Sequence, residues 1–174
     1  GMLCSYDGEK ISLREIHRFS NDPVMMPGGF FWDAPRLLHE IKAAILAASH
    51  EGGAVSMGID TWGVDYGYLD KSGVLLSNPY HYRDKRTDDI QPYVFSNFAT
   101  KKEIYAKTGI QSLNFNTLYQ LTADMRDRPW IVENAECLLH MPDLFDYMLT
   151  GEKTSEYTIA STGTLLDANK RDYC

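Results

Sequence analysis

Asp60, Thr61 and Asp65 crowd around a Trp62-Gly63 pair inside one short stretch, Ser56 to Asp70. Carboxylates and a hydroxyl exchange hydrogen bonds with several hydroxyl groups at once, an indole offers a flat apolar face, and a glycine lets a ligand approach the backbone. Such a set suits a small polyhydroxylated molecule. The competing structural reading is a corner between two strands that buries one tryptophan. Acid–base catalysis by the pair is disfavoured, because alternation along an extended chain sets Asp60 and Asp65 on opposite faces unless the Trp-Gly step bends it.

Further along, Arg83, Asp84 and Arg86 stand either at the rim of a cleft or in a solvated charge run, and both readings stay open. Asn116 is a candidate loop contact, whereas Tyr119 reads as core. The five histidines show no ligand spacing with one another or with the cysteines, so no metal site is expected. The phosphate-cradling patterns Gly-x-x-x-x-Gly-Lys-Ser/Thr and Gly-x-Gly-x-x-Gly are missing, and so is the nucleophile pattern Gly-x-Ser-x-Gly of a hydrolase.

The elements that must position these residues are legible in part. The apolar run Val55 to Ile59 predicts a buried strand leading into the corner, and Val64 to Leu69 predicts a second. Asp70-Lys71-Ser72-Gly73 predicts a turn into a third strand, Val74 to Leu76. Upstream, Ile11 to Phe19 predicts a strand after the Tyr6 to Lys10 turn, forming a hairpin, and the Pro- and Gly-rich stretch from Asn21 to Phe31 predicts a loop. Phe30, Phe31 and Trp32 either cover a pocket or anchor that loop. Asp33 caps a predicted helix whose apolar face is Leu37, Leu38, Ile41, Ala44, Ile45 and Ala48, stopped by Gly52-Gly53. Beyond Asp88 the pattern turns helical: a Thr100-to-Glu103 capping box with a Gly109 stop, then Thr117 to Arg126, Pro129 to Asn134, and an apolar helix closed by Gly151. Cys137 to Leu139 reads as a buried strand or core segment. The whole is an α/β pattern, a mixed sheet carrying helices.

A chain of 174 residues, 44% hydrophobic and 12% aromatic, is enough for one domain with its own core. Seventeen basic against twenty-four acidic residues give a net charge of −7, which opposes binding to nucleic acid or to an anionic membrane. No apolar run approaches the ~18 residues of a membrane span, and a cytoplasmic chain is expected. Cys4, Cys137 and Cys174 are widely spaced and odd in number, which fits free thiols. Gly1 ahead of Met2 reads as a tag remnant.

The run Gly58-Ile59-Asp60-Thr61-Trp62-Gly63-Val64-Asp65 resembles a segment of the FGGY carbohydrate kinases, in the form it takes in their rhamnulokinase branch. Leu13 to Phe19, Tyr82-Arg83-Asp84-Lys85-Arg86-Thr87, Phe115 to Leu121, Met141-Pro142-Asp143, and Leu149-Thr150-Gly151 with Glu156-Tyr157-Thr158 resemble the family at similar spacings. The resemblance implies a ribonuclease-H-like, actin-like fold truncated at both ends. Residues 2–174 would form a partial N-terminal domain, with the phosphate-loop strand and the ATP-binding domain outside it. It also implies ATP and magnesium (Mg) as cofactors of the whole enzyme, neither held well by this stretch, and a catalytic base outside it. The substrate would be a ketose such as L-rhamnulose, phosphorylated at O1. Gly63 would contact the sugar, joined by Asp60, Thr61, Trp62 and Asp65 and more remotely by Arg83, Asp84 and Asn116. The stretch alone would be inactive, and unpaired sheet edges would favour self-association. A non-enzymatic sugar-binding or interaction module derived from a kinase is the alternative.

Overall fold

A computed structural model describes all residues, 1–174. The chain opens with an antiparallel hairpin of β1 (Met2–Tyr6) and β2 (Ile11–Glu15), in which Tyr6 faces Ile11 and Met2 faces Glu15. Apart from half-buried Leu3, the residues of this hairpin lie exposed. A second hairpin, β3 (Val24–Met26) with β4 (Gly29–Phe31), occupies the stretch expected to be a loop. Pro27 and Gly28 fill its central turn positions, and Gly28 takes the positive φ of 100° that a tight turn of this kind requires. Pro27 and Gly28, which argued for a loop, therefore build a reversal.

Helix α1 (Ala34–His50) begins where expected, with the Asp33 carboxylate accepting from the Arg36 N–H at 3.1 Å. Its Ala34 and Leu37 pack with Trp32 against Leu69, Leu139, Met141, Leu144 and Phe145, the main apolar core. The central pair of that core is β5 (Tyr66–Leu69) against β6 (Cys137–His140), antiparallel, with Tyr66 opposite His140. Both strands are largely buried, as their apolar sequences require.

Two sequence expectations fail here. Val55 to Ile59 forms no strand: Val55 and Met57 stand exposed, and the segment has no hydrogen-bonded strand neighbour. An apolar run becomes a strand only when another backbone edge meets it. Val74 to Leu76 does turn back along β5, with the Leu76 N–H on the Tyr68 carbonyl and the Asp70 N–H on the Val74 carbonyl, both at 2.9 Å, but it is too short to extend the pair beyond the Leu75–Leu69 bridge. The strands accordingly pair two by two, the last pair being β7 (Leu166–Asp167) with β8 (Asp172–Tyr173).

The helical half follows the local signals closely. Helix α2 (Ile90–Asn97) precedes α3 (Lys101–Thr108), whose Thr100–Glu103 capping box is complete and whose stop, Gly109, is left-handed at φ 69°. Helices α4 (Thr117–Asp127), α5 (Pro129–Asn134), α6 (Met141–Thr150) and α7 (Tyr157–Ser161) complete the order. Tyr119 is fully buried with Ile90, Val94, Ile104 and Ala123 in a second core, as its apolar setting implies. No helix is long and apolar enough to cross a membrane.

Candidate functional site

The corner between the exposed segment and β5 is a clamped turn. The Asp65 N–H donates to the Gly63 carbonyl at 2.9 Å, closing a three-residue turn about Val64, whose φ is 69°. A left-handed conformation at a β-branched residue costs ~1–3 kcal/mol and persists only where the surroundings enforce it. They do so from two helices. The Val64 carbonyl accepts from the Thr117 hydroxyl of α4 at 2.7 Å, and the Val64 N–H donates to the Thr162 hydroxyl, just past α7, at 3.2 Å. Gly63 has no room for a side chain, since a Cβ there would lie 2.8 Å from Thr162 Oγ1.

Beneath the turn sits the Asp65 carboxylate, fully buried. Its Oδ2 accepts from the indole N–H of Trp32 at 2.6 Å, that of Trp62 at 2.9 Å, and the Tyr82 backbone N–H at 3.1 Å. Its Oδ1 accepts from the Gln120 amide at 2.8 Å. Burial pushes the carboxyl up to about 6, although each of these donors pulls the other way. The rings form a stack above it: Trp32 lies 4.1 Å from both Trp62 and His81, and His81 lies 4.5 Å from Tyr82, measured between centroids.

The remaining candidates spread over this corner. Asp60 is exposed, Thr61 is half-buried with its hydroxyl on the Trp62 carbonyl at 3.1 Å, and Trp62 and Gly63 are half-buried. Asp60 is exposed whereas Asp65 is fully buried, and a turn, not the extended strand on which the alternation argument depends, separates them. Arg83 is exposed with its guanidinium 4.9 Å from the Tyr82 ring centre. Both oxygens of Asp84 are taken by backbone N–H groups, of Phe30 at 2.7 Å and Arg86 at 2.8 Å, so this carboxylate ties the β4 strand to the loop at 81–87. Asn116 is buried, accepting from the Leu113 N–H at 2.6 Å and donating to the Thr162 carbonyl at 3.3 Å. It holds the loop that delivers Thr117.

Arg86 is set apart from the rim. It pairs with the buried Asp124 at 2.7 Å and donates to the Gln120 side-chain oxygen, also at 2.7 Å. Asp124 further accepts from Arg128 at 2.8 Å, Tyr66 at 2.7 Å and Tyr68 at 3.1 Å. Burial, and then the Asp124 charge beside them, raises both tyrosines above their ordinary range. This is an internal brace linking α4 to β5.

Sequence reasoning missed Gln120, Thr117 and Thr162 as partners of the corner, and it left Trp32 undecided. Gln120 lies 55 residues from Asp65 and Thr162 lies 98 from Val64, distances over which no spacing rule operates. For nucleotide and metal the residues present do not make a cradle. Gly28-Gly29 turn a hairpin, Gly52-Gly53 follow the end of a helix, and no three His, Cys, Asp or Glu side chains converge on a common point.

Residues 23–174 match the family model described as the FGGY family of carbohydrate kinases, N-terminal domain, and the chain belongs to that family. Among curated relatives, it is 44% identical over 169 residues to the rhamnulokinase of Bacteroides thetaiotaomicron, covering 97% of this chain and 35% of that protein. It is also 44% identical over 161 residues to the rhamnulokinase of Halalkalibacterium halodurans, covering 92% and 34%. The chain thus spans about a third of the length of the curated relatives it matches. Its fold is similar to a gluconate kinase from Lactobacillus acidophilus, with TM-score 0.80, 15% identity, and coverage of 95% of this chain and 33% of that one. A carbohydrate kinase from Novosphingobium aromaticivorans gives TM-score 0.75 at 22% identity, covering 99% and 36%. The actin-like fold of these kinases is therefore the fold of this chain, although in place of one mixed sheet its strands form four separate antiparallel pairs.

Proposed function

We propose that this chain forms one wall of the sugar cleft of an ATP-dependent carbohydrate kinase whose whole protein phosphorylates L-rhamnulose at O1. The observation that carries the reading is the corner itself. A strained turn clamped by two helices presents Asp60, Thr61, Trp62 and Gly63 at the surface, while the Asp65 carboxylate beneath accepts from four donors. Strain of this kind clusters at functional positions, which supports the reading. The 44% identity to two rhamnulokinases supports the choice of sugar.

In this reading Asp60 and the Thr61 hydroxyl bond the sugar hydroxyls, the Trp62 ring packs on an apolar face of the sugar, and the Gly63 backbone, whose side-chain space Thr162 fills, contacts it from the opposite side. Arg83, Asp84 and Asn116 shape the rim and the loop beside it. These groups bind and orient; the proton of O1 passes to a base outside this stretch. ATP, with magnesium, supplies the phosphoryl group from a part of the protein beyond these residues. The location is cytoplasmic. The exposed faces of β1 and β2, with Ile11 and Leu13 outward, favour self-association of the isolated chain, which sedimentation at increasing concentration reads directly.

The test is a coupled ADP-release assay on the protein expressed from its complete reading frame. L-Rhamnulose should give a kcat/KM at least ~10-fold above D-xylulose, D-gluconate and glycerol, as expected when a site built to bond one hydroxyl pattern meets another. The 174-residue chain alone should give no sugar-dependent turnover. Equal or faster turnover of another of these sugars would overturn the assignment.

A further inference from the structure

We infer that Asp65 is a positioning residue of the sugar site: its buried carboxylate fixes both indoles and the Gly63-Val64 turn, and thereby sets how tightly the sugar is held. The inference rests on the sugar-cleft reading above. It assigns Asp65 a role other than contact.

Contact is ruled out by enclosure. The carboxylate already accepts four hydrogen bonds, three at Oδ2 from Trp32, Trp62 and Tyr82 and one at Oδ1 from Gln120. The group is fully buried, so no hydroxyl of a ligand reaches it. The donors come from four places, namely the residue after β4, the corner itself, the loop after Pro79, and α4. One side chain therefore joins four segments directly under the surface that the sugar would touch. Trp62 is the link between the two layers, because its N–H is held below while its ring remains partly open above.

The charge state matters as well as the shape. Gln120 cannot turn its amide over, because its side-chain oxygen already accepts from Arg86 at 2.7 Å while its nitrogen also bonds the Phe115 carbonyl at 2.9 Å. In Asp65→Asn, the new amide nitrogen must face either the Gln120 nitrogen or the indole and Tyr82 donors. Donor meets donor in both orientations. A near-isosteric change thus leaves at least one buried N–H unmatched, which frees the corner without removing bulk.

Selective 15N labelling of tryptophan in the protein from its complete reading frame tests this, with Trp130 as the internal reference. Trp130 is half-exposed and makes no bond to Asp65, whereas the Trp32 and Trp62 indole protons, held by a carboxylate, should resonate downfield of it. In Asp65→Asn both should move toward Trp130, and the sugar KM should rise at least tenfold while the ATP KM and kcat stay within twofold. Trp32→Phe keeps the ring stack and removes one donor, so its sugar KM should rise less. It also serves if Asp65→Asn does not fold. Indoles that shift while the sugar KM stays fixed would overturn the positioning role, leaving Asp65 a structural anchor. Indoles that do not shift would overturn the anchor itself. A wild-type protein that turns over no sugar would sink the cleft reading, and the positioning role with it, whatever the indole spectra show.

Discussion

Replacing Gly63 by alanine puts the clamped corner to a quantitative test. The backbone of Gly63 is not left-handed, so the conformation itself tolerates alanine and only space is at issue. The added Cβ would meet Thr162 Oγ1 at 2.8 Å, Cβ at 3.1 Å and Cγ2 at 3.2 Å. Thr162 has little freedom to retreat, since its hydroxyl donates to the Ile159 carbonyl at 2.7 Å and accepts from Val64 at 3.2 Å. Overpacking of this kind costs ~1–3 kcal/mol, and losing the Val64 bond adds ~0.5–1.5 kcal/mol. Gly63→Ala should therefore lose about 2–4 kcal/mol in urea unfolding of the 174-residue chain. Thr162→Ala removes two of the three clashing atoms, so Gly63→Ala with Thr162→Ala should lose less than the two single changes summed, by about 1 kcal/mol or more. A Gly63→Ala chain within ~0.5 kcal/mol of wild type, or strict additivity of the pair, would refute the close packing of the turn.

Two further perturbations follow from the buried polar groups. Burial holds His140 down to about 4 from 6.5, and pushes Asp65 up from 3.8 to about 6. His140 contributes stability that is complete above pH 6.5 and lost as pH falls toward 4; Asp65 contributes stability complete below pH 3.8 and lost as pH rises through 6. Each is worth about 3 kcal/mol, and in the overlap they oppose each other. Urea midpoints at several pH values across that window should fall more steeply on acidification in Asp65→Asn than in wild type, and less steeply in His140→Phe. Identical slopes in all three chains would contradict the assignment. Arg86→Met leaves the buried Asp124 with Arg128 as its one cationic partner, and should cost about 3 kcal/mol. A loss below ~1 kcal/mol in the same unfolding assay would show that the brace is not needed.

What the sequence disclosed was local. The Asp33 cap, the Thr100–Glu103 box and the Gly109 and Gly151 stops each depend on neighbours within a few residues, and all are present in the structure. Strand formation depends on a partner edge, which is why Val55 to Ile59 misled while Tyr66 to Leu69, met by Cys137 to His140, did not. The corner from Asp60 to Asp65 was visible as a concentration of polar, aromatic and glycine residues. The division of labour inside it was not. Asp60 and Asp65 look alike on paper, yet one is exposed and the other is fully enclosed by donors contributed from residues 32, 62, 82 and 120. Asp84 shows the same limit, since both of its oxygens are occupied by backbone groups that no sequence pattern ties to it.

The most direct measurement is the pair of Michaelis constants for Trp62→Ala in the protein from its complete reading frame. Loss of the ring's contact with the sugar should raise the KM for L-rhamnulose at least ~10-fold, equivalent to about 1.4 kcal/mol, and leave the KM for ATP unchanged. An unchanged sugar KM, or equal increases for sugar and ATP, would contradict the placement of the sugar on the Asp60 to Asp65 corner.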